Sequence, residues 1–254
     1  MTTNNSELPS YANPPIVETV LGVQFDRLPG FTNAHLGAFW QTLDLAEWKA
    51  VSDAPTIQPQ FERFSDSARW ARGIELQLTP IPPGRIQIKN RTGDQMIQVQ
   101  NGRLHFNWLG DLGKDYPRYN KVREGFVDAF ERFSGFLGKS AVDQFRPNQW
   151  EVTYLNQIPK GTVWATAADL TFFTPVRGVP TVNGLIEGEE FTGEWHFVIP
   201  GQRGRLHIQW RHALRAVPDQ AEHEIIQLTL TARGPLEPKD ATIQTVVDGL
   251  DLGH

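Results

Sequence analysis

Residues 95–109 read QMIQVQNGRLHFNWL, two runs of alternating polar and apolar side chains joined by Asn101-Gly102. Asn-Gly between two such runs is the strongest short sequence signal for an antiparallel hairpin. We therefore predict strands over 95–100 and 103–109. Because successive side chains of a strand point to opposite faces, the second run has one apolar face and one polar face. The apolar face carries Leu104, Phe106 and Trp108.

The pattern on both sides of this hairpin predicts an antiparallel sheet packed against helices. Earlier candidate strands cover 57–65, 73–79 and 85–90. After the hairpin, apolar residues recur at helical spacing from Tyr119 to Leu137, and we expect Asp115 to cap this helix. Such an apolar stripe must pack on a large apolar surface, which a sheet face supplies. The predicted class is α+β, with antiparallel sheet or sheets and helices on one face.

The same order of elements occurs in two successive halves, which we expect to pack as one unit. The first half, residues 14–140, follows a polar lead-in, residues 1–13, that we expect to be disordered. It begins with a strand over 16–25 and a helix capped by Thr32. The second half, residues 141–254, has predicted strands over 149–158, 189–199, 203–214 and 222–233, a short helix over 165–171, and a last helix capped by Asp240.

A repeated heptapeptide favours internal duplication. Residues 102–108 (GRLHFNW) and 204–210 (GRLHIQW) agree at five of seven positions. Together with the element order, this match indicates a strand–helix–meander–helix unit that is present twice. Chance is the alternative, since Gly-Arg after a turn and alternating apolar residues are common. The tandem order resembles that of TATA-binding-protein-like folds and of helix-grip folds, an analogy that implies no function.

The composition of the 254-residue chain excludes several classes of protein. The absence of cysteine excludes disulfide scaffolds, thiolate metal sites and cysteine nucleophiles. A net charge of −5 disfavours sequence-independent binding to phosphate backbones. Without a membrane-spanning apolar run or a signal-peptide pattern, we expect a cytoplasmic protein with no membrane partner. Since no nucleotide-binding, metalloprotease or serine-hydrolase motif occurs, we expect no cofactor and no catalytic residues, and favour a non-enzyme.

The second face of the predicted sheet is a candidate binding surface. Its side chains are Gln87, Gln98, Arg103, His105, Asn107, Arg205, His207, Gln209 and Arg211. A solvated polar face is normal for an antiparallel sheet. Amide and guanidinium groups also suit a planar polar partner, such as a peptide, a nucleotide or a nucleic-acid strand. Glutamine is used here where a purely solubilising face would use lysine and glutamate. Both interpretations stay open.

Two smaller sets of residues are weaker candidates. Trp48, Trp70 and Trp164 lie near predicted element ends, where exposed tryptophan would stack on a partner. The predicted strand register places His196 opposite His207, with Glu194 as a third metal ligand. Polar side chains standing side by side on neighbouring strands explain the same pattern without a metal, and we favour that interpretation.

Three short segments carry a family resemblance. They are PPIVETVLGVQF at 14–25, VTYLNQI at 152–158 and DLGH at 251–254. Together they resemble a sporadically distributed family of uncharacterised bacterial proteins with a P-I-V-E-type first strand and a Y-x-N-x-I strand midway. The resemblance implies no named activity and no catalytic residues. The family's patchy distribution implies an accessory bacterial system, such as defence or a toxin–antitoxin-type module, and its members usually continue past the D-L-G-H segment with another helix.

One polar residue interrupts the first strand of each half. Glu18 lies in the strand over 16–25 and Asn156 in the strand over 149–158. We expect Asn156 to be buried and hydrogen-bonded to the backbone, because buried polar groups are nearly always paired. Contact with a ligand is the alternative for both residues.

The sequence favours a non-enzymatic binding module that engages a protein partner or a second copy of itself. The absence of a catalytic motif, the eight tryptophans and the polar sheet face support this hypothesis. A first alternative is a sensor that binds a small molecule or nucleotide, between helix and sheet or on the polar face. A second is nucleic-acid binding through Lys89, Arg103, Arg205 and Arg211.

Overall fold

A computed structural model describes residues 11–64, 84–112, 115–140, 145–166, 169, 192–216, 222–237 and 242–254. Its strands are β1 (Ile16–Phe25), β2 (Ala50–Ala54), β3 (Arg85–Lys89), β4 (Gln95–Gln100), β5 (Arg103–Leu109), β6 (Pro147–Pro159), β7 (Thr192–Ile199), β8 (Gly204–Arg215) and β9 (His223–Pro235). Its helices are α1 (Asn33–Gln41), α2 (Tyr119–Lys139) and α3 (Ile243–Gly253). The predicted strand over 73–79, most of the predicted helix over 165–171 and most of the lead-in lie outside the described residues.

The strands of this part of the chain form one antiparallel sheet in the order β2-β3-β4-β5-β1-β6-β9-β8-β7. The first strands of the two predicted halves, β1 and β6, are neighbours at its centre, with Leu21 opposite Val152. From this centre each half extends outward to its own edge. The predicted α+β class with an antiparallel sheet is confirmed.

The hairpin over 95–109 forms as predicted. β4 and β5 are joined by Asn101-Gly102, with Gln100 opposite Arg103. Gly102 has a φ of +103°, a left-handed conformation that costs a glycine little. The Asn101 side chain accepts from the Leu28 amide at 2.8 Å and donates to the Leu28 carbonyl at 3.1 Å. The turn therefore also anchors the loop that leaves β1.

The helices pack on one face of the sheet, as predicted, and the main core lies between them and the strands. Phe133 of α2 contacts Phe25 of β1 and Phe39 of α1, with ring centroids 5.7 and 5.2 Å apart. Full burial of one such side chain stabilises a fold by about 2 kcal/mol. None of the helices in the described ranges is both long and apolar enough to cross a membrane.

The start of α2 differs from the prediction. The helix begins at Tyr119, preceded by Arg118 in the left-handed conformation with a φ of 72°, so Asp115 does not cap it. The chain before the helix instead directs Tyr116 edge-on against Trp108 of β5, with centroids 5.2 Å apart. Packing of this aromatic pair outweighs the local capping signal.

A threonine stands at the N-terminal cap of each of the two shorter helices. Thr32 precedes α1 as predicted. Thr242 caps α3, since its hydroxyl oxygen accepts from the Thr245 amide at 3.3 Å. The predicted cap, Asp240, lies outside the described residues.

The predicted strand over 57–65 is wrong. Residues 55–64, which we call the strap, belong to no strand, but the segment crosses from Gln100 of β4 to Gln149 of β6 between Ile57 and Glu62, which requires an extended backbone. Pro55 and Pro59 have no amide hydrogen to donate to a neighbouring strand, which disfavours a place within the sheet. Among the described residues, the strand that precedes β3 is β2, which the pattern missed because its five residues (AVSDA) are few and mostly exposed.

The two matching heptapeptides do not occupy equivalent places. β5 pairs directly with the central strand β1, whereas β9 separates β8 from the central strand β6. Counted outward from the centre, β8 therefore corresponds to β4 rather than to β5. The heptapeptide match thus gives no structural support for the predicted duplication, which stays a prediction.

Candidate functional site

The polar face, defined as the sheet face opposite the helices, collects all nine predicted surface residues. Strand register fixes this placement: Gln87 lies opposite Gln98, and Gln98 lies opposite His105. Across the centre, Glu151 lies opposite Arg233, and Arg233 lies opposite Arg205. The alternating pattern of the sequence therefore predicted correctly which side chains share a face.

The first half of the polar face is an interior, not a solvated surface. Gln98, Arg103, His105 and Asn107 are all buried, with at most 6% of each residue exposed. The expectation of an open face is therefore wrong for these residues. On this face the strap crosses the strands from β4 to β8 and bonds to their polar side chains, Arg103 among them.

Three glutamine side chains hold the backbone of the strap. Gln100 accepts from the Ile57 amide at 2.8 Å and donates to the Ile57 carbonyl at 2.7 Å.

Gln24 holds Gln60 in the same way, at 2.9 and 3.3 Å. Gln149 accepts from the Glu62 amide at 2.9 Å and also donates to the Gln60 carbonyl. Each of these three glutamines therefore supplies the donor and acceptor that an adjacent strand would supply.

The carboxylate of Glu62 enters a cluster of three basic side chains, which we call the Glu62 cluster. His207 Nε2 lies 2.6 Å from Glu62 Oε1, Arg233 Nε donates to the same oxygen at 3.2 Å, and Arg205 donates to Oε2. Only 5% of the Glu62 side chain is exposed. Burial favours the neutral acid, but the hydrogen bond with His207 and the neighbouring positive charges outweigh it and lower the pKa of Glu62.

A second carboxylate, Glu151, lies beside this cluster. Its Oε2 is 3.5 Å from Arg233 Nη1 and 3.4 Å from Arg103 Nη1. His105 Nε2 lies 3.7 Å from its other oxygen. Burial lowers the pKa of His105 to about 4, so the imidazole is neutral at pH 7 and makes no ion pair. Gly22 leaves room for this ring, since a Cβ there would lie 2.5 Å from His105 Cδ2.

A second chain of hydrogen bonds lies on the same face, toward the β2 edge of the sheet. Arg85 and Gln87 both donate to Gln98 Oε1, at 2.6 and 3.0 Å. Gln98 donates to Asn107 at 2.8 Å, and Asn107 donates to Glu18 at 2.6 Å. Burial raises the pKa of Glu18. Glu18, the polar residue that interrupts β1, is therefore the last acceptor of this chain of hydrogen bonds.

The second half of the polar face stays open. Gln209 and Arg211 are exposed, as the sequence led us to expect. Gln209 donates to Glu194 at 3.0 Å, and Arg211 donates to Gln227 at 2.9 Å. These side chains line a shallow depression of about 500 Å³ over β7, β8 and β9.

The predicted metal ligands are only partly brought together. His196 lies opposite His207, as the register predicted, with ring centroids 4.6 Å apart. His196 Nε2 also lies 3.1 Å from Glu194. His207, however, directs its Nε2 to Glu62. Within the described ranges, no group of three His, Asp or Glu side chains is arranged to hold a metal ion.

The tryptophans proposed as interface residues have structural contacts. Trp164 is buried, and its indole nitrogen donates to the Ile158 carbonyl at 2.9 Å, so it is not an exposed stacking residue. Trp48 packs partly buried against the core, and its carbonyl accepts from the Trp40 indole at 3.0 Å. Trp70 lies outside the described residues.

Sequence reasoning missed the central feature of the site, which is the strap. Glu62 was not a candidate, because its partners lie 143 to 171 residues away along the chain. The usable signals were Pro55 and Pro59, which disfavour a strand, and the three glutamines on one sheet face. Asn156, in contrast, is buried as predicted and donates to the Leu228 carbonyl at 3.2 Å.

Comparison with known proteins adds no relative to this description. The chain matches no protein-family model, and no curated protein is significantly similar to it in sequence.

Proposed function

We propose that this protein is a non-enzymatic interaction module whose polar face binds an extended, acidic segment of a partner polypeptide. The observation that carries the proposal is the strap itself. It is an extended peptide whose backbone is held by three glutamines and whose carboxylate is held by the Glu62 cluster.

The glutamines recognise the backbone of the strap, whereas the basic side chains recognise its carboxylate. Glutamine side chains bonded to backbone amides and carbonyls recognise any extended segment, much as a neighbouring strand does. Two arginines and a histidine around one carboxylate add selectivity for an acidic residue, because charge-assisted hydrogen bonds are stronger than neutral ones. The chemistry therefore selects an extended peptide that carries glutamate or aspartate.

The open half of the polar face extends the same chemistry beyond the strap. Gln209, Gln227 and Arg211 repeat the glutamine and arginine side chains that hold the strap. A partner segment has two routes to this face: it lies along the open depression, or it replaces the strap. The second route also allows a second copy of the chain to supply its own strap.

Nucleic acid fits the described surface less well. Of the four basic residues considered for it, Arg103 is buried and Arg205 is bound to Glu62. Lys89 and Arg211 are the exposed ones among the four. The family resemblance in the sequence would place the partner in an accessory bacterial system such as defence, and the proposed duplication would give each half its own version of the face.

The test uses a labelled synthetic peptide of residues 55–64 and the full-length chain with Glu62→Ala. In the wild-type chain the strap competes with the peptide within the same molecule. Loss of the carboxylate weakens the strap, and we expect the variant to bind the peptide at least about tenfold more tightly, a difference of about 1.4 kcal/mol. Fluorescence anisotropy measures the affinity. A peptide with glutamine in place of Glu62 should bind more weakly than the native peptide.

Two controls make the result interpretable. Glu47→Ala removes an exposed carboxylate that lies 3.7 Å from Arg91, away from the strap, and should bind the peptide as the wild type does. Glu62→Gln keeps the side-chain shape if the alanine variant does not fold. Equal affinity of both peptides, or no binding to either variant, would refute the proposal. Light scattering on the variants shows whether a second copy is the occupant, since dimers would then form as concentration rises.

A further inference from the structure

The four tyrosines of the sequence all line one cavity on the helix side of the sheet. Its volume is about 540 Å³, within the range of small-molecule sites. We propose that this tyrosine cavity binds a planar heteroaromatic ring, such as a nucleobase. The cavity lies on the face opposite the strap, so the proposal stands apart from the one made for the polar face.

The cavity forms where several elements meet. Ile16 at the start of β1, Tyr119 at the start of α2 and Tyr154 in β6 contribute walls. Leu230 of β9 and His254 at the end of α3 complete them. Sites between helices and a sheet suit ligands because rigid elements hold the lining in place.

The aromatic walls are held by a hydrogen-bonded network. Tyr119 is buried, and its hydroxyl donates to Asp251 at 2.7 Å. Arg123 donates to both oxygens of Asp251, at 3.0 and 2.8 Å. Burial is the main cause that raises the pKa of Tyr119, so its hydroxyl stays protonated. The ring is therefore fixed before any ligand arrives, which reduces the entropy cost of binding.

The protein's own histidine shows how this cavity holds a flat heterocycle. The imidazole of His254 stacks on Tyr119 with centroids 4.0 Å apart and ring planes within 12°. Its Nδ1 lies 2.7 Å from the Tyr154 hydroxyl. One wall thus contacts the face of a planar heterocycle while another bonds to its edge, which is how proteins recognise unpaired nucleobases.

Polar groups in the cavity have bonding capacity to spare. Within the described residues, the only side-chain hydrogen bond of Asn156 is the one from Nδ2 to the Leu228 carbonyl. The Tyr116 hydroxyl is buried in the lining beside the hydroxyls of Thr19 and Tyr154. The Asn156 amide oxygen can therefore accept from a donor on a ligand edge, with the Tyr116 hydroxyl close by.

Two backbone irregularities flank the cavity. In β1, Ile16 pairs with Asn156 while Glu18 pairs with Leu155, so Val17 forms a bulge. This bulge places Ile16 on the helix side of the sheet. Arg118, which also lines the cavity, has the left-handed φ of 72°. Bulges and left-handed non-glycine residues are concentrated near binding sites, where they aim side chains.

The tyrosines themselves provide the test, because every one of them reports on this cavity. The full-length chain is labelled with 3-fluorotyrosine and titrated with adenosine, cytidine or uridine while ¹⁹F NMR is recorded. We expect at least one nucleoside to shift two or more tyrosine signals saturably. A chain labelled with 5-fluorotryptophan is the control: no tryptophan lines the cavity, so the signals of all tryptophans except Trp108, which contacts Tyr116, should stay fixed.

Variants separate recognition from folding. Asn156→Leu and Tyr116→Phe remove polar groups from the lining, and each should weaken binding about tenfold or more. Val163→Ala changes an exposed side chain elsewhere and should bind as the wild type does. Tyrosine signals that stay fixed with all three nucleosides up to about 10 mM, well above a millimolar dissociation constant, would overturn the proposal. Equal shifts in the tryptophan-labelled chain would also overturn it, since binding would then not be confined to the cavity.

Discussion

His105 shows how far a residue's chemistry depends on the coverage of its face. On a solvated sheet face its imidazole would titrate near the ordinary histidine pKa. In the structure only 5% of the residue is exposed, and burial lowers the pKa of His105 to about 4. The pKa of Glu62, which shares the partner Arg233 with Glu151 beside His105, shifts in the direction that keeps the carboxylate charged. Contacts, and not residue type, decide which of the two carries charge.

The depressed pKa of His105 predicts an acid-sensitive fold. The unfolded chain binds a proton at His105 near pH 6.5, whereas the folded chain does so only near pH 4. The contribution of His105 to stability is therefore fully present above pH 7, and it is lost as the pH drops from 6.5 to 4. Between pH 7 and pH 5 this one group should lower the free energy of unfolding by about 2 kcal/mol.

Urea unfolding of wild type and His105→Gln at both pH values checks this expectation. The variant should lose less stability than the wild type on going to pH 5, because glutamine does not titrate. Glu62 does not contribute in this range, since its pKa lies below the ordinary 4.5. His223→Gln, at an exposed position of β9, is the matched control and should keep the wild-type dependence. Identical pH dependence in all three proteins would contradict the prediction.

Among the elements, those built from local contacts were predictable from sequence and the strap was not. The Asn101-Gly102 hairpin and the apolar stripe of α2 depend on residues within a few turns of one another. Strand register followed from alternation, which is why His196 was correctly placed opposite His207. The strap instead depends on pairs such as Glu62 and His207, which are 145 residues apart. No periodicity encodes such a pair, so the covered face looked open.

The strap's backbone contacts predict slow amide exchange in a segment without secondary structure. The amides of Ile57, Gln60 and Glu62 each donate to a glutamine side chain. In the wild type these amides should exchange slowly despite lying outside the strands. In Glu62→Gln the strap loses its ion pairs with Arg205 and Arg233. Amide exchange should speed up about tenfold for each 1.4 kcal/mol by which the strap is destabilised.

Hydrogen exchange followed by NMR or by mass spectrometry of peptides covering residues 55–64 measures this effect. Amides of the β4–β5 hairpin provide an internal reference, because their bonds lie within the sheet. Glu47→Gln, which alters an exposed carboxylate, should leave the strap's exchange unchanged. Fast exchange across 57–62 in the wild type would show that the glutamines do not hold the strap in solution.

At the scale of the whole molecule, the described residues connect the two halves at the centre of the sheet and on both of its faces. β1 and β6 pair along most of their length at the centre of the sheet. The strap, which belongs to the first half, bonds to Arg205 and Arg233 of the second. On the other face, Arg123 of α2 pairs with Asp251 of α3 at 2.8 Å. Connections on both faces and at the centre leave neither half able to unfold without exposing buried groups of the other.

These connections predict that the halves unfold in a single cooperative transition. In a chain labelled with 5-fluorotryptophan, Trp108 reports on the first half and Trp210 on the second, each assigned by its Trp→Phe variant. Both native signals should disappear at the same urea concentration, as two-state unfolding requires. Val152→Ala removes part of a buried side chain at the β1–β6 junction and should cost about 1–3 kcal/mol. Because the junction is shared, that loss should move both signals to lower urea together. Separate midpoints for Trp108 and Trp210, in either protein, would show that the halves are independent domains that merely share an edge.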